Sequence, residues 1–159
     1  MDAGAIITPN AHDKDGTISA IIWFRHAKIS GETARSLAKL FDSDAAEGPR
    51  ASLDELGPGR LPLELWFERC RIGPDELGAL SGAKRLAGLA FMQTPLDDDA
   101  FSAVKTMPRL DALQIDGSDV GDAALHFLDT SPLLHGFSAR RTRIGDHVLQ
   151  VLSGAKEMR

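Results

Sequence analysis

Two tryptophans and a group of charged side chains are the residues of this chain best suited to chemistry. Trp23 and Trp66 fall at matching points of two short alternating segments, Ile22-Trp23-Phe24-Arg25 and Leu65-Trp66-Phe67-Glu68. Alternation at period 2 places each indole on the same side of its strand as the charged residue two positions on. Arg69, Met92 and Arg140 stand at related positions further along. Tryptophan, arginine and methionine among charges of both signs suit recognition, because rigid apolar surface and planar donors anchor protein interfaces. The competing reading is that residues 1–17 or 42–60 fold over the indoles and bury them.

Bond-making chemistry has thinner support. Cys70 is the sole cysteine, so it has no partner for an internal disulfide and none for a cysteine zinc site. The five histidines (His12, His26, His126, His135 and His147) share no spacing. Only His26 falls beside the tryptophans, where Glu68 and Arg69 are ordinary charged neighbours rather than a catalytic pair. Asp97-Asp98-Asp99 precede a helical apolar pattern and read as a helix start, where carboxylates accept backbone N–H groups. Gly57-Pro58-Gly59-Arg60 lacks the Lys-Ser/Thr that completes a phosphate loop. No catalytic, metal-binding or cofactor-binding residue is assigned, no cofactor is expected, and the chain is expected not to be an enzyme.

The elements that position these residues recur with a fixed period. Ile72, Leu96, Val120 and Ile144 are each 24 residues apart. Before them lie four alternating apolar segments beginning at Pro62, Leu86, Leu110 and Leu134, each a short strand. A small residue follows each strand: Cys70, Thr94, Ser118 and Thr142. Then Leu77/Leu80, Phe101/Val104, Leu125/Leu128 and Leu149/Leu152 recur at helical spacing. The segments are closed by Pro108 or Pro132, or by Lys84 or Lys156. A fixed period of strand, turn and short helix signals a solenoid.

A divergent copy precedes the four, with Ile22, Phe24, Ala27 and Ile29 at the strand and turn positions and Ala34, Leu37 and Leu40 at the helix positions. Ile29 and Ile72 are 43 residues apart, 19 more than the period, so an insertion separates this copy from the next. The chain thus reads as one domain: residues 1–17 as an N-terminal cap or tail, 18–41 as the divergent repeat, 42–60 as the insertion and 61–159 as four regular repeats. Ala5-Ile6-Ile7-Thr8 gives the N-terminal part an extended segment before Pro9. Met158 falls in register with the start of a further strand, so either the last helix covers the C-terminal edge or that edge is open. Arg140, Arg141 and Arg143 near it discourage unwanted strand addition.

The pattern Leu-x-x-Leu-x-Phe/Ile-x-x-Thr-x-Ile resembles a leucine-rich repeat protein of the 24-residue bacterial kind over residues 62–159. The resemblance implies an α/β right-handed solenoid of about five repeats, with a parallel β-sheet on its concave side and short helices or 3₁₀ turns on its convex side. Parallel strands joined by crossovers favour the same hand. The concave face then carries three columns: Trp23, Trp66, Ala90, Gln114, Ser138; Arg25, Glu68, Met92, Asp116, Arg140; and His26, Arg69, Gln93, Gly117, Arg141. Its charges are mixed, which suits a specific protein surface better than a simple electrostatic trap. Cys70 takes the small-residue ladder position, a structural role.

Across 159 residues the composition is that of an ordinary globular domain, 43% hydrophobic and 26% charged. A net charge of −5 argues against a general nucleic-acid binder. No apolar run reaches the roughly 20 residues needed to span a bilayer, and no secretory signal pattern opens the chain. The expectation is a cytoplasmic, non-enzymatic protein-recognition module, a small bacterial adaptor or an inhibitor of the immunity-protein kind, binding another protein but neither nucleic acid nor membrane. Its expected contacts are Trp23, Trp66, Arg25, Glu68, Arg69, Met92 and Arg140. The alternatives are a structural solenoid that self-associates through its C-terminal edge, or an enzyme with a concave-face site.

Overall fold

In the computed structural model, which describes residues 5–10, 19–42, 63–148 and 150, the alternating segments form one six-stranded sheet in strict sequence order. Strand β1 (Ala5–Asn10) runs antiparallel to β2 (Ser19–Arg25). From β2 onward every neighbour is parallel: β3 (Leu63–Glu68), β4 (Leu86–Met92), β5 (Ala112–Gln114) and β6 (Gly136–Ser138). Parallel neighbours cannot be joined by a tight hairpin. The crossovers carry helix α1 (Gly31–Asp42), the short helix α2 (Pro74–Gly78), and 3₁₀ segments at Asp98–Phe101 and Asp122–Thr130. The class is therefore α/β, an open sheet with five parallel strands and short helices, an arrangement compatible with an α/β solenoid. Among the described residues no helix is long and apolar enough to cross a membrane.

The 24-residue period becomes lateral register. Ile22, Leu65, Leu89, Leu113 and Phe137 are successive ladder partners, and so are Trp23, Trp66, Ala90, Gln114 and Ser138. In β3, Leu63, Leu65 and Phe67 are buried while Glu64, Trp66 and Glu68 are half-exposed. The buried set joins Leu77, Leu80, Phe101, Val104, Leu125 and Phe127 from the crossovers in one apolar core. One sheet face thus packs on the helical layer; on the other, Trp23, Glu64, Trp66 and Glu68 are half-exposed, while Ile21 and Ala90 are buried.

Aromatic residues mark the core's long axis. Phe24, Phe67 and Phe91 occupy one register position and stack at 5.6 and 5.3 Å between ring centres. Phe91 then meets Phe101 edge-on at 5.9 Å, and Phe101 stacks on Phe127 in the helical layer. Strands about 4.8 Å apart bring identical rings into offset stacking without further adjustment.

Polar residues close the turns. The Cys70 N–H donates to Thr94 Oγ1 (3.2 Å), whose hydroxyl donates to the Phe67 carbonyl (3.0 Å). Ser118 and Thr142 donate to the Ile115 and Ala139 carbonyls, each at 2.7 Å. The Cys70 Sγ, fully buried, lies 3.4 Å from the carbonyls of Phe24 and Glu68, and burial raises its pKa. Helix starts are capped within the sequence. Ser30 Oγ accepts from Thr33 N–H at α1, Glu76 from Gly73 N–H at α2, and Asp97 from Ala100 N–H at the first 3₁₀ segment. Asp98 reaches the next repeat and accepts from Gly121 N–H at 2.7 Å.

One helix assignment differs from the sequence reading. Ala34 and Leu37 are buried, but Leu40 is 44% exposed and Phe41 takes the core position instead. Because α1 is a true α-helix, the residue four beyond Leu37 returns to its inner face. Buried Arg85, just before β4, donates to the Leu40 carbonyl at 3.3 Å in the last turn of α1. A cation there complements the helix dipole. The insertion at 42–60 lies almost wholly outside the described residues. So do residues 1–4 and 11–18, and Leu149, Leu152, Lys156 and Met158 at the other end.

Candidate protein-recognition face

The sheet face turned away from the helical layer is built around the two tryptophans. β2 and β3 pair Trp23 with Trp66 directly. Their rings meet edge-on, 5.9 Å between centres at 70°. Both are half-buried, and each is held by its neighbours. Trp66 Nε1 donates to Glu64 Oε2 at 3.0 Å. Room for the Glu64 side chain comes from Gly88 on the adjacent strand, where an added Cβ would approach Glu64 Cγ to 2.7 Å. The Arg25 guanidinium carbon lies 4.9 Å from the centre of the Trp23 ring, a cation–π contact. Trp23 Nε1 is itself buried and has no hydrogen-bond partner among the described residues.

Around this pair the charges run across strands. Arg25 Nε donates to Glu68 Oε2 at 2.7 Å, and Arg69 Nε to Gln93 Oε1 at 2.6 Å. Met92, next to Glu68 in register, is half-buried. Trp23, Trp66, Arg25, Glu68, Arg69 and Met92 therefore share one region spanning β2 to β4. Arg140 does not join it. It follows β6, two strands beyond Met92 or roughly 10 Å away at ordinary strand spacing. Its backbone N–H donates to Asp116 Oδ1 at 2.7 Å, as does the Ser138 hydroxyl. Burial tends to raise the Asp116 pKa, but these donors and the Arg140 charge hold it below the usual carboxylate value.

Three features of this face were not singled out from the sequence. Ile6, the β1 partner of Trp23, is 45% exposed and extends the apolar area by one strand. Gln93 is the acceptor that fixes Arg69. The third feature is conformational: His26, Arg69, Gln93 and Arg141 all have φ between 50 and 58°, and Gly117, their equivalent in the fourth unit, has φ 74°. The turn after each strand demands a left-handed residue. Such a conformation costs a side chain about 1–2 kcal/mol, and Gly117 shows that glycine fits. Four exposed polar residues nonetheless occupy this column.

Elsewhere, His135 Nδ1 lies 2.6 Å from Asp111 Oδ1, but at the entry to the strands, the rim opposite Arg25 and Arg69. A shallow groove of about 350 Å³ lies at the β6 edge, lined by Phe137, Ser138, Ala139, Arg140 and Ile144. No group of three or more His, Cys, Asp or Glu that could hold a metal occurs among the described residues. What the arrangement offers is a rigid aromatic surface ringed by hydrogen-bonded charges. No protein family, curated protein or solved structure matches this chain.

Proposed function

We propose that this chain is a cytoplasmic leucine-rich-repeat protein, a right-handed arc of about five repeats, that recognises another protein through the concave face of its sheet. The repeat assignment is supported by the 24-residue register that pairs β3 to β6, shifted by one residue only at Leu63. The functional reading is carried by the Trp23–Trp66 pair, half-exposed and braced by Arg25, Glu64 and Glu68. Side chains already held in place lose little freedom on docking, which favours tight association. Truncating such an anchor typically removes on the order of 2–4 kcal/mol of binding, at least tenfold in affinity. A small adaptor or an inhibitor of the immunity-protein kind fits a recognition domain of this size.

The test is photo-crosslinking in cells of the source organism. A benzoylphenylalanine in place of Gln114, in the tryptophan column of the sheet, is expected to trap a discrete protein. The same group in place of Asp129, exposed on the helical side, is expected to trap none. Equal trapping from both positions, or none from Gln114, refutes the assignment of the face. The groove at β6 favours a second reading, self-association through that edge. Sedimentation velocity over a wide concentration range separates the two, since only self-association raises the mass.

A further inference from the structure

The turns that follow β2 and β3 gather cations, Lys28 and Arg71, that no carboxylate among the described residues neutralises. Lys28 and Arg71 face each other across an isolated parallel bridge, held by hydrogen bonds of 2.9 Å from Ile29 N–H to the Arg71 carbonyl and 2.8 Å from Arg71 N–H to the Ala27 carbonyl. Like charges set directly opposite destabilise a ladder. The same chain shows how such a pairing is relieved. Asp97 and Asp119 also face each other in a parallel bridge, and there Arg143 donates to Asp119 Oδ1 at 2.7 Å and to neighbouring Asp98 Oδ2 at 3.0 Å. At Lys28 and Arg71 no carboxylate pairs with either cation among the described residues. Both side chains are exposed.

Beside them stand His26 and Arg69, each exposed and each at φ 51°. These two polar side chains are kept at backbone positions that glycine fills more easily, as Gly117 does. Like-charge pairing opposes folding and is relieved by an anion docking from outside; the left-handed backbone, shared with Gln93 and Arg141, belongs to the turn itself. The cluster adjoins the tryptophan face, because His26 and Arg69 directly follow β2 and β3, three residues after Trp23 and Trp66.

We infer that His26, Lys28, Arg69 and Arg71 form the docking site for a cluster of carboxylates on the surface of the partner protein. The inference rests on the recognition reading of the neighbouring face. A protein suits the charge layout better than a nucleic acid does. The corresponding turns after β4 and β5 carry Met92, Gln93 and Pro95, then Asp116, Gly117 and Asp119, with no cation among them. A phosphate chain laid along the rim would therefore meet an uncharged turn after β4 and two carboxylates after β5 before reaching Arg140, Arg141 and Arg143.

The experiment titrates an octaglutamate peptide into the isotope-labelled full chain at low salt, followed by NMR, with an octathymidylate as the competing probe. The expected result is amide shifts confined to residues 26–29 and 69–72, weakening steeply with added salt. Lys28→Glu/Arg71→Glu is expected to weaken peptide binding at least tenfold. Arg69→Gly, which places glycine at the left-handed position that Gly117 fills in the turn after β5, is expected to weaken it severalfold in a chain that stays folded. Arg141→Gly, at the far end of the same column, is expected to leave it unchanged. Shifts spread over all basic residues, peptide binding unaffected by the charge reversal, or tighter binding of octathymidylate overturn the inference. Trp66→Ala separates this proposal from the one it builds on. Peptide binding that survives Trp66→Ala supports the carboxylate site. Peptide binding lost from the charge-reversed chain while partner trapping at position 114 persists unweakened overturns the carboxylate site and leaves the tryptophan face standing.

Discussion

Replacing Phe67 by alanine probes the register on which the whole reading depends. Phe67 is fully buried, stacked on Phe24 at 5.6 Å and on Phe91 at 5.3 Å. A buried Phe→Ala change typically costs about 3–5 kcal/mol through lost transfer energy and the cavity left behind. Each aromatic pair adds about 0.5–1.5 kcal/mol beyond area, and here two are lost at once. Neighbouring repeats cannot collapse into the gap without breaking the 24-residue ladder, so about 4–5 kcal/mol is expected. That is a large part of the roughly 5–15 kcal/mol that stabilises an ordinary domain. The assay is equilibrium urea unfolding, followed both by circular dichroism and by tryptophan emission. With a slope near 2 kcal/mol/M, the midpoint falls by about 2 M. Because Trp23 and Trp66 report only on β2 and β3, coincidence of the two probes also tests whether the repeats unfold together. A midpoint shift under about 0.5 M refutes the stacked column and with it the register.

Three further outcomes are expected. Arg69→Gly, at φ 51°, stabilises the chain by about 1 kcal/mol in urea unfolding; destabilisation would show that the Arg69–Gln93 hydrogen bond outweighs the backbone cost. Cys70, buried and with its pKa raised, reacts with a thiol reagent only at the rate of unfolding; rapid labelling of the native chain at pH 8 contradicts its structural role. Asp98 is held below its ordinary pKa by the Gly121 N–H and by Arg143, and Asp116 by the Arg140 N–H and Ser138 against the opposing effect of burial. A lowered folded pKa means the unfolded chain binds more protons, so this stability is complete above about pH 4 to 5 and is lost as pH falls through the folded values. The urea midpoint is expected to drop below about pH 4, and less so in Asp98→Asn/Asp116→Asn; an equal drop in both proteins contradicts it.

The strands and their order were legible because the period is unbroken: Ile72, Leu96, Val120 and Ile144 alone fix the register that later pairs Leu65, Leu89 and Leu113. The face columns containing Trp66 and Glu68 follow from the same count, and Trp23 and Arg25 join them through the divergent copy, 43 residues earlier. Helix detail was less legible. Leu40 and Phe41 are both apolar, and only the α-helical turn of α1 decides which one the core receives. The left-handed column was hidden because glycine, its usual sequence mark, occurs at only one of its positions, Gly117. Arg85 looks like a solvated residue between repeats, and its burial depends on the Leu40 carbonyl 45 residues earlier, a contact no local pattern announces. Arg143 is similar, since its two carboxylate partners lie in two different earlier repeats.

Affinity capture from the source organism's lysate, quantified for wild type and for a folded Trp23→Ala/Trp66→Ala double variant side by side, tests the central claim most directly. The account predicts a discrete protein retained by wild type and reduced at least tenfold with the double variant. Equal recovery by the two contradicts it, and the tryptophan face would then not be the surface through which this protein recognises a partner.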